Sequence, residues 1–420
     1  MAAILTKDQV KEIKHCLATK NMTQQEIGEK FGVGRSVISD IATGRAHTDV
    51  VTETTETDNQ ILKLQGEIEH LREERNAARR EMKDAAKTQG LFSAVLEEME
   101  LRVKPMRALP PARPEFKKVD GAIVEHLVMH ISDGHHDQIV TPSDTGGLET
   151  YNFPISVCRA ERYVDATLKW TQSTLAPQFT FPSLTVLAYG DHTSGEIHGH
   201  TSRSYFRNAF KNALAIGQLH SLMYRDLAPY FDQVNIVYVP GNHGRRSMKK
   251  DYHGAHDNWD YLIAKTAELY CKDLPNVGFT IPNAFCANID IGGVGFQVFH
   301  GDDIKSSLGV PWYGLEKRRH RMASLNGVQK GVPIRYYCCG HFHRPGSTTE
   351  VNGEMLINGA WPASDAYAFN ALGGFTEPSQ LIHGVNQEYG ITWRLPVKLR
   401  CEYESTGPRR YKIDMMDEVG

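Results

Sequence analysis

Five short clusters of metal-ligand-type residues punctuate this sequence between residues 133 and 343. They are Asp133-Gly-His135, Gly190-Asp191, Gly241-Asn242-His243, His300-Gly301 and Gly340-His341-Phe342-His343. A lone histidine near the end of a strand is usually a hydrogen-bonded structural residue. Five such clusters in succession ask for another explanation, because converging polar groups are costly to bury without a purpose. Their inventory is carboxylates, one amide oxygen and imidazoles, with no thiolate. Mixed oxygen and nitrogen ligation suits manganese, iron or zinc better than calcium. Asp133 and His135 are two residues apart, as are His341 and His343. In an extended segment such pairs point the same way and can serve one site. Seven candidate ligands exceed what one ion with an open position needs, and they suit two ions ~3.5–4 Å apart that share a carboxylate.

Each cluster follows an apolar run: HLVMHIS, LTVLAYG, NIVYVPG, FQVFHG and RYYCCGH. These runs are rich in β-branched and aromatic residues and end in glycine or polar residues, which predicts buried strands. Helical patterns near 156–175, 203–230 and 257–273 lie between them, so residues 119–420 read as one α/β domain. Open α/β sheets form sites at the carboxyl ends of their strands, where these clusters fall.

The residues ahead of that domain read differently. In 1–47, Thr6-Lys-Asp-Gln9 and Thr23-Gln-Gln-Glu26 have capping-box form, and Gly32-Val33-Gly34 breaks the second helix. A third helix follows with Val37, Ile38 and Ile41 inward, giving a helix-turn-helix layout. Residues 48–60 are a polar linker. Over 61–104, Ile61, Ile68, Met82 and Leu96 share one heptad phase. Leu64, Leu71, Ala78, Ala85, Phe92 and Met99 share the partner phase, and Arg75 and Gln89 interrupt the first series. This is coiled-coil patterning and implies a homo-oligomer, the alternative being one amphipathic helix packed on its own domain. Pro105, Pro110, Pro111 and Pro114 make 105–118 a stiff connector.

Composition excludes other classes. The chain has 420 residues, 40% apolar and 23% charged, with a formal net charge of −3. That is ordinary globular composition and excludes a globally basic nucleic-acid coat. No apolar run is long enough to span a membrane, and the start lacks a signal-peptide pattern. The cysteines number 7, with no CxxC pair, which points to reduced thiols and a cytoplasmic location.

The order D-x-H, G-D, G-N-H, H-G, G-H-x-H resembles that of the calcineurin-like metallophosphoesterases, over about residues 124–362. The resemblance implies a four-layer sandwich, two β-sheets flanked by helices. It implies that Asp133, His135 and His343 hold one metal, that Asn242, His300 and His341 hold the other, and that Asp191 bridges them. The two divalent ions would be manganese first, with iron, zinc or magnesium as alternatives. They would activate a water for attack on phosphorus, with His243 as the catalytic histidine that protonates the leaving oxygen. Family members often carry an acidic residue after G-N-H, and here it is Gly244, so the group that orients His243 is open.

Arg245 is the best phosphate clamp, and His198 is a further candidate for the substrate phosphate. His192 and His200 either extend that site or face solvent, and His136 and Asp137 lie behind the ligands or are solvated. Basic runs at Arg245, Arg246, Lys249 and Lys250, and at Lys317 to Arg321, could follow a polyanionic backbone. Tyr367 and Trp361 could stack on a base, though core packing suits Trp361 better. In the third helix Arg35, Ser36, Ser39 and Asp40 would face outward, with Arg35, Ser36 and Ser39 as DNA contacts. Helix-turn-helix, heptad helix and phosphoesterase together resemble repair-exonuclease-like phage proteins, which would act in the host cytoplasm. The expectation is a two-metal phosphodiesterase acting on DNA. The alternatives are a small-molecule or nucleotide phosphoesterase with a protein-binding N-terminus, and a non-catalytic DNA-binding scaffold.

Overall fold

The structure is a computed structural model. It describes residues 5–19, 21–50, 63–64, 66–76, 93–100, 121–197, 203–247, 249, 254–305, 311–326, 331–401 and 409–419. The chain forms two compact units, residues 1–87 and 88–420.

The smaller unit contains α1 (Lys7–Thr19), α2 (Gln24–Phe31) and α3 (Arg35–Ala42). Thr23 opens α2 with a capping box, its hydroxyl accepting from the Glu26 N–H and the Glu26 carboxylate accepting from the Thr23 N–H. Ile13, Ile27, Ile38 and Ile41 form the core, with Val37 packed against it. Arg35 and Ser36 are exposed, but Ser39 and Asp40 are only half-exposed, because they lie on the flank of α3 between its buried and open faces. Residues 66–76 are helical and Leu64, Ile68 and Leu71 lie exposed. The heptad positions Ile61, Ala78, Met82, Ala85, Gln89 and Phe92 fall outside the described residues, as do most of the linker and all of the proline-rich connector.

In the larger unit, residues 93–100 are helical, and Leu96 and Met99 pack into the main core. The last heptad therefore packs its apolar side chains inside this unit. Two sheets follow. The first has strands β2 (His126–Ile131), β4 (Ser183–Tyr189), β5 (Gln233–Val239), β6 (Val277–Thr280), β12 (Ser379–Asn386) and β13 (Gly390–Lys398) in the order β13-β12-β2-β4-β5-β6. β2, β4, β5 and β6 are parallel, while β12 runs antiparallel to both its neighbours. The second has β7 (Cys286–Ile291), β8 (Val294–Phe299), β9 (Ile334–Cys339), β10 (Gly346–Glu350) and β11 (Gly353–Ile357) in the order β10-β11-β9-β8-β7. A short parallel pair joins β1 (Ile123–Val124) to β3 (Phe179–Thr180).

The period-two alternation of a strand assigns each side chain to a layer. Leu127, Met129 and Ile131 on β2, with Leu184 and Val186 on β4, pack on α4 (Phe153–Lys169), α5 (Ala209–Leu227) and α6 (Trp259–Tyr270). Val128, Leu187, Tyr189 and Val237 face the other way and meet Phe296, Val298, Tyr336 and Cys338 of the second sheet. Tyr337, Cys339, Met355 and Ile357 point beyond it to Leu315 and Met322 of α7 (Trp312–Asn326). The layering is helix, sheet, sheet, helix. No described helix is long and apolar enough to cross a membrane.

Candidate metal centre

The site forms where loops leaving both sheets are stitched together by backbone hydrogen bonds. After β2 and β4, the Asp133 N–H donates to the Gly190 carbonyl at 3.1 Å and the His135 N–H to the Asp191 carbonyl at 2.9 Å. After β5, the His243 N–H donates to Asp191 Oδ1 at 2.8 Å. From the second sheet, the Gly340 N–H donates to the His300 carbonyl at 2.9 Å and the His341 N–H to Asp133 Oδ1 at 2.8 Å. The approach is close enough that a Cβ on Gly241 or Gly340 would collide with the carboxylates of Asp191 and Asp133. Asp133, His135, Asp191, His341 and His343 all hold positive φ, between 39° and 68°, which non-glycine residues adopt only at a cost.

This backbone brings all seven predicted ligands together. Asp133, His135 and His343 form one group whose ligand atoms lie within 4.8 Å of one another, and Asp191, His300 and His341 form a second. A third, His135, Asp191 and His243, overlaps both. His343 Nε2 is 3.4 Å from Asp133 Oδ1, and His300 Nε2 is 2.9 Å from Asp191 Oδ2 and 3.1 Å from Asn242 Oδ1. Asp133, His135, Asp191 and His300 are buried, and neither ring nitrogen of His135 has a hydrogen-bond partner among the described residues. Buried imidazoles with inward lone pairs beside anionic oxygens are a donor set that fits divalent cations. The electrostatics agree. Burial opposes the proton on His300, but the facing Asp191 carboxylate outweighs it and pushes the imidazole up to about 10. Burial raises Asp191, yet the His300 and His243 charges win and hold it well below the usual carboxylate range. Burial, with the His300 charge next, takes His341 down to about 4.

The structure answers the question raised by Gly244. His243 Nδ1 is 3.1 Å from the Ser194 carbonyl and donates to it, and its Nε2 lies 4.0 Å from Asp191 Oδ2. Ser194 is held in turn by Asp137, a buried carboxylate that accepts its N–H at 2.7 Å and the Thr193 hydroxyl at 3.1 Å. A side chain at 244 would strike Asn258, which begins α6. The residue that sequence reasoning missed is Asp260, in the first turn of that helix. It accepts from the N–H groups of Asp191 at 3.1 Å, His192 at 3.2 Å and Gly241 at 2.9 Å, joining the β4 and β5 loops. Burial, and then the charge of Asp191, push its carboxyl up to about 7. An acidic residue in a helix's first turn is so ordinary a feature that nothing in the sequence marks it.

Other expectations are revised. His192 is fully buried under α5, so it neither faces solvent nor extends a phosphate site, and His136 and Asp137 are likewise enclosed. His198, His200 and Lys250 lie outside the described residues. Arg245 is half-buried, and its Nε has no hydrogen-bond partner among the described residues. The basic runs are partly neutralised, Arg246 by Asp257 at 3.3 Å and Arg318 by Asp303. Trp361 is core, its backbone N–H donating to the Asp133 carbonyl at 3.0 Å. Tyr367 is exposed and lines a groove with Gln138, Val140, Ser194 and Arg203.

No family model matches the chain, and no curated protein matches its sequence. Solved structures do. An archaeal phosphodiesterase is similar over 64% of this chain and 99% of its own, at 9% identity and a TM-score of 0.30. Vps29 of Entamoeba histolytica complexed with zinc is similar over 65% and 99%, at 11% identity and a TM-score of 0.27. A predicted phosphoesterase of Streptococcus pneumoniae is similar over 66% and 99%, at 10% identity and a TM-score of 0.27.

Proposed function

We propose that this chain is a metal-dependent phosphodiesterase with a two-ion centre, acting on DNA. One observation carries the reading: two three-ligand groups, Asp133–His135–His343 and Asp191–His300–His341, are linked by a third that contains both His135 and Asp191. Asp191, common to the second and third groups, is the residue that would serve both ions. When bound, two divalent cations would supply Lewis acidity towards a phosphate and lower the pKa of a water held between them. The chain's own contribution is positional. Asp260 fixes the β4 and β5 loops, and the strained backbone aims five ligands at one point. His243, anchored through Nδ1 on the Ser194 carbonyl, presents Nε2 towards the centre, where it can give a proton to a leaving oxygen. Arg245 is placed two residues further on to clamp a phosphate oxygen.

The substrate reading draws on two features. The exposed Arg35 and Ser36 at the start of α3 suit a helix that reads or grips DNA, which makes the smaller unit a targeting module of helix-turn-helix type. The exposed Tyr367 beside the groove at Ser194 offers a stacking face for an unpaired base. The exposed Leu64, Ile68 and Leu71 provide a seam for self-association. One observation favours a second reading, a small phosphodiester as substrate: Arg246 and Arg318 already have carboxylate partners, which leaves less charge for a long backbone.

Incubation with Mn²⁺ and labelled single- or double-stranded DNA, beside an aryl phosphodiester, separates the two. Cleavage of DNA and of the aryl ester supports the nuclease; turnover of the aryl ester alone supports the small-substrate enzyme. Deleting residues 1–47 should weaken DNA binding and spare aryl-ester turnover, and unchanged DNA affinity would remove the targeting role. Replacing the exposed Leu64, Ile68 and Leu71 with glutamate should lower the sedimenting mass to that of one chain, and an unaltered mass would remove the self-association role.

A further inference from the structure

Behind the Asp191 centre lies a second cluster of histidines that the proposed reaction does not use. His136 follows the metal-ligand loop after β2, His192 follows Asp191 after β4, and His220 sits mid-way along α5. All three are 0% exposed, and one ring nitrogen from each lies within 4.8 Å of the other two. We propose that His136, His192 and His220 form a separate, buried tri-imidazole site for zinc.

The geometry supports this at each ring. His136 Nε2 and His220 Nε2 are 3.1 Å apart. Two bonds of about 2.0–2.1 Å to one tetrahedral zinc place their nitrogens ~3.3 Å apart, so the pair needs little adjustment. The outer nitrogens are already engaged. His136 Nδ1 is 2.5 Å from Ser156 Oγ, and His220 Nδ1 is 2.7 Å from the Tyr238 hydroxyl, itself 2.7 Å from that of Tyr224. Metal-bound histidines are held by such partners, which fix the ring and turn the other lone pair inward. Gly134 leaves the room: a Cβ there would meet His136 Nε2 at 2.5 Å.

A single proton shared between His136 and His220 would satisfy those two rings but not the third. Both ring nitrogens of His192 are buried with no hydrogen-bond partner among the described residues. Leaving such a group unpaired costs about 1–3 kcal/mol. A cation engages all three rings at once. Three neutral imidazoles suit zinc or a similar transition metal rather than magnesium or calcium. The backbone N–H of His192 donates to Asp260 Oδ1 at 3.2 Å, which fixes the loop that carries the ring. The site would pin α5 to the two loops that carry His135 and Asp191, each one residue from a member of the trio. Its role is positional.

The test is zinc content after metal-free protein is loaded with Zn²⁺ and dialysed. The wild-type chain is expected to keep three equivalents and His220→Gln two, with an unchanged far-ultraviolet circular dichroism spectrum. The glutamine side chain would retain hydrogen bonding but ligate poorly. Should that variant not fold, His192→Asn carries the same expectation. Asp191→Ala should keep the equivalent that His220→Gln loses, and X-ray absorption on its zinc should show nitrogen ligands at about 2.0 Å. A folded His220→Gln or His192→Asn chain that binds as much zinc as wild type overturns the site. A wild-type chain with one equivalent, lost in His220→Gln and kept in Asp191→Ala, upholds it and sinks the two-ion centre instead.

Discussion

In the three-helix unit, the capping and core residues sit where their own chemistry prefers. Thr23 caps α2, Gly32 takes the left-handed φ of 65° that closes it, and four isoleucines fill the core. At the ends of β2, β4 and β9, local preference is overruled. Non-glycine residues occupy the left-handed region in five places, and His135 is buried with both ring nitrogens unpaired among the described residues. Such positions cost of order 1 kcal/mol each and persist only where surrounding structure enforces them. Here the enforcement is visible: two sheets, the Asp260 carboxylate and a ladder of loop-to-loop hydrogen bonds. The contrast separates a unit built on local preference from one whose loops are held against it.

Substitutions sharpen that contrast. The largest effect is expected from His300→Ala, which removes a ligand lodged between Asp191 and Asn242. Metal-dependent hydrolysis should fall by about 10²–10³-fold or more, and steady-state kinetics check it. Next is Asp260→Asn, which touches none of the reacting groups but loosens the loops that hold them. Activity should fall about 10–100-fold with metal affinity reduced, as read by kinetics and metal titration together. In the three-helix unit, Thr23→Ala should cost only about 1 kcal/mol of stability and leave aryl-ester turnover intact; denaturant unfolding measures the first and a turnover assay the second. Of the same size and opposite sign is His135→Asn, which replaces a strained, unpaired ring with a residue that tolerates positive φ. The metal-free protein should gain about 1 kcal/mol while losing hydrolysis. A loss of stability there would break the idea that the site is held against local preference.

The larger unit should also carry an acid sensitivity. Burial pushes His130 and His220 down to about 3, from an ordinary value of 6.5. Both stay neutral in the fold while the unfolded chain takes up protons below that value. The stability they contribute is fully present above pH 6.5 and is lost as pH falls through 6.5 towards 3. Thermal unfolding across that window reads it, and His130→Phe should flatten the slope.

Much of the site was legible because metal ligation demands particular side chains at strand ends, and those side chains are rare in such positions. Asp133, His135, Asp191, Asn242, His300, His341 and His343 announce themselves by type and spacing. The alternation of apolar runs and helical patterns placed β2, β4, β5, β8 and β9. The supports were hidden for physical reasons. Ser194 orients His243 through a backbone carbonyl, which every residue possesses. Asp260 acts across 69 residues of sequence from the Asp191 N–H it accepts. His220 reads as one more residue of a helix until α5 is packed over the loops. Leu96 and Met99 follow a heptad, but periodicity says only that a face is apolar, not which surface it meets, and here that surface belongs to the same unit.

The proposed function stands or falls with Asp191 and the side chains gathered around it. The direct test is turnover of an aryl phosphodiester by metal-free protein reconstituted with Mn²⁺, wild type beside Asp191→Ala. Hydrolysis that appears with Mn²⁺, vanishes on chelation and is abolished in a folded Asp191→Ala is the expected result. Equal Mn²⁺-dependent rates in the two proteins, or none in either, would contradict it.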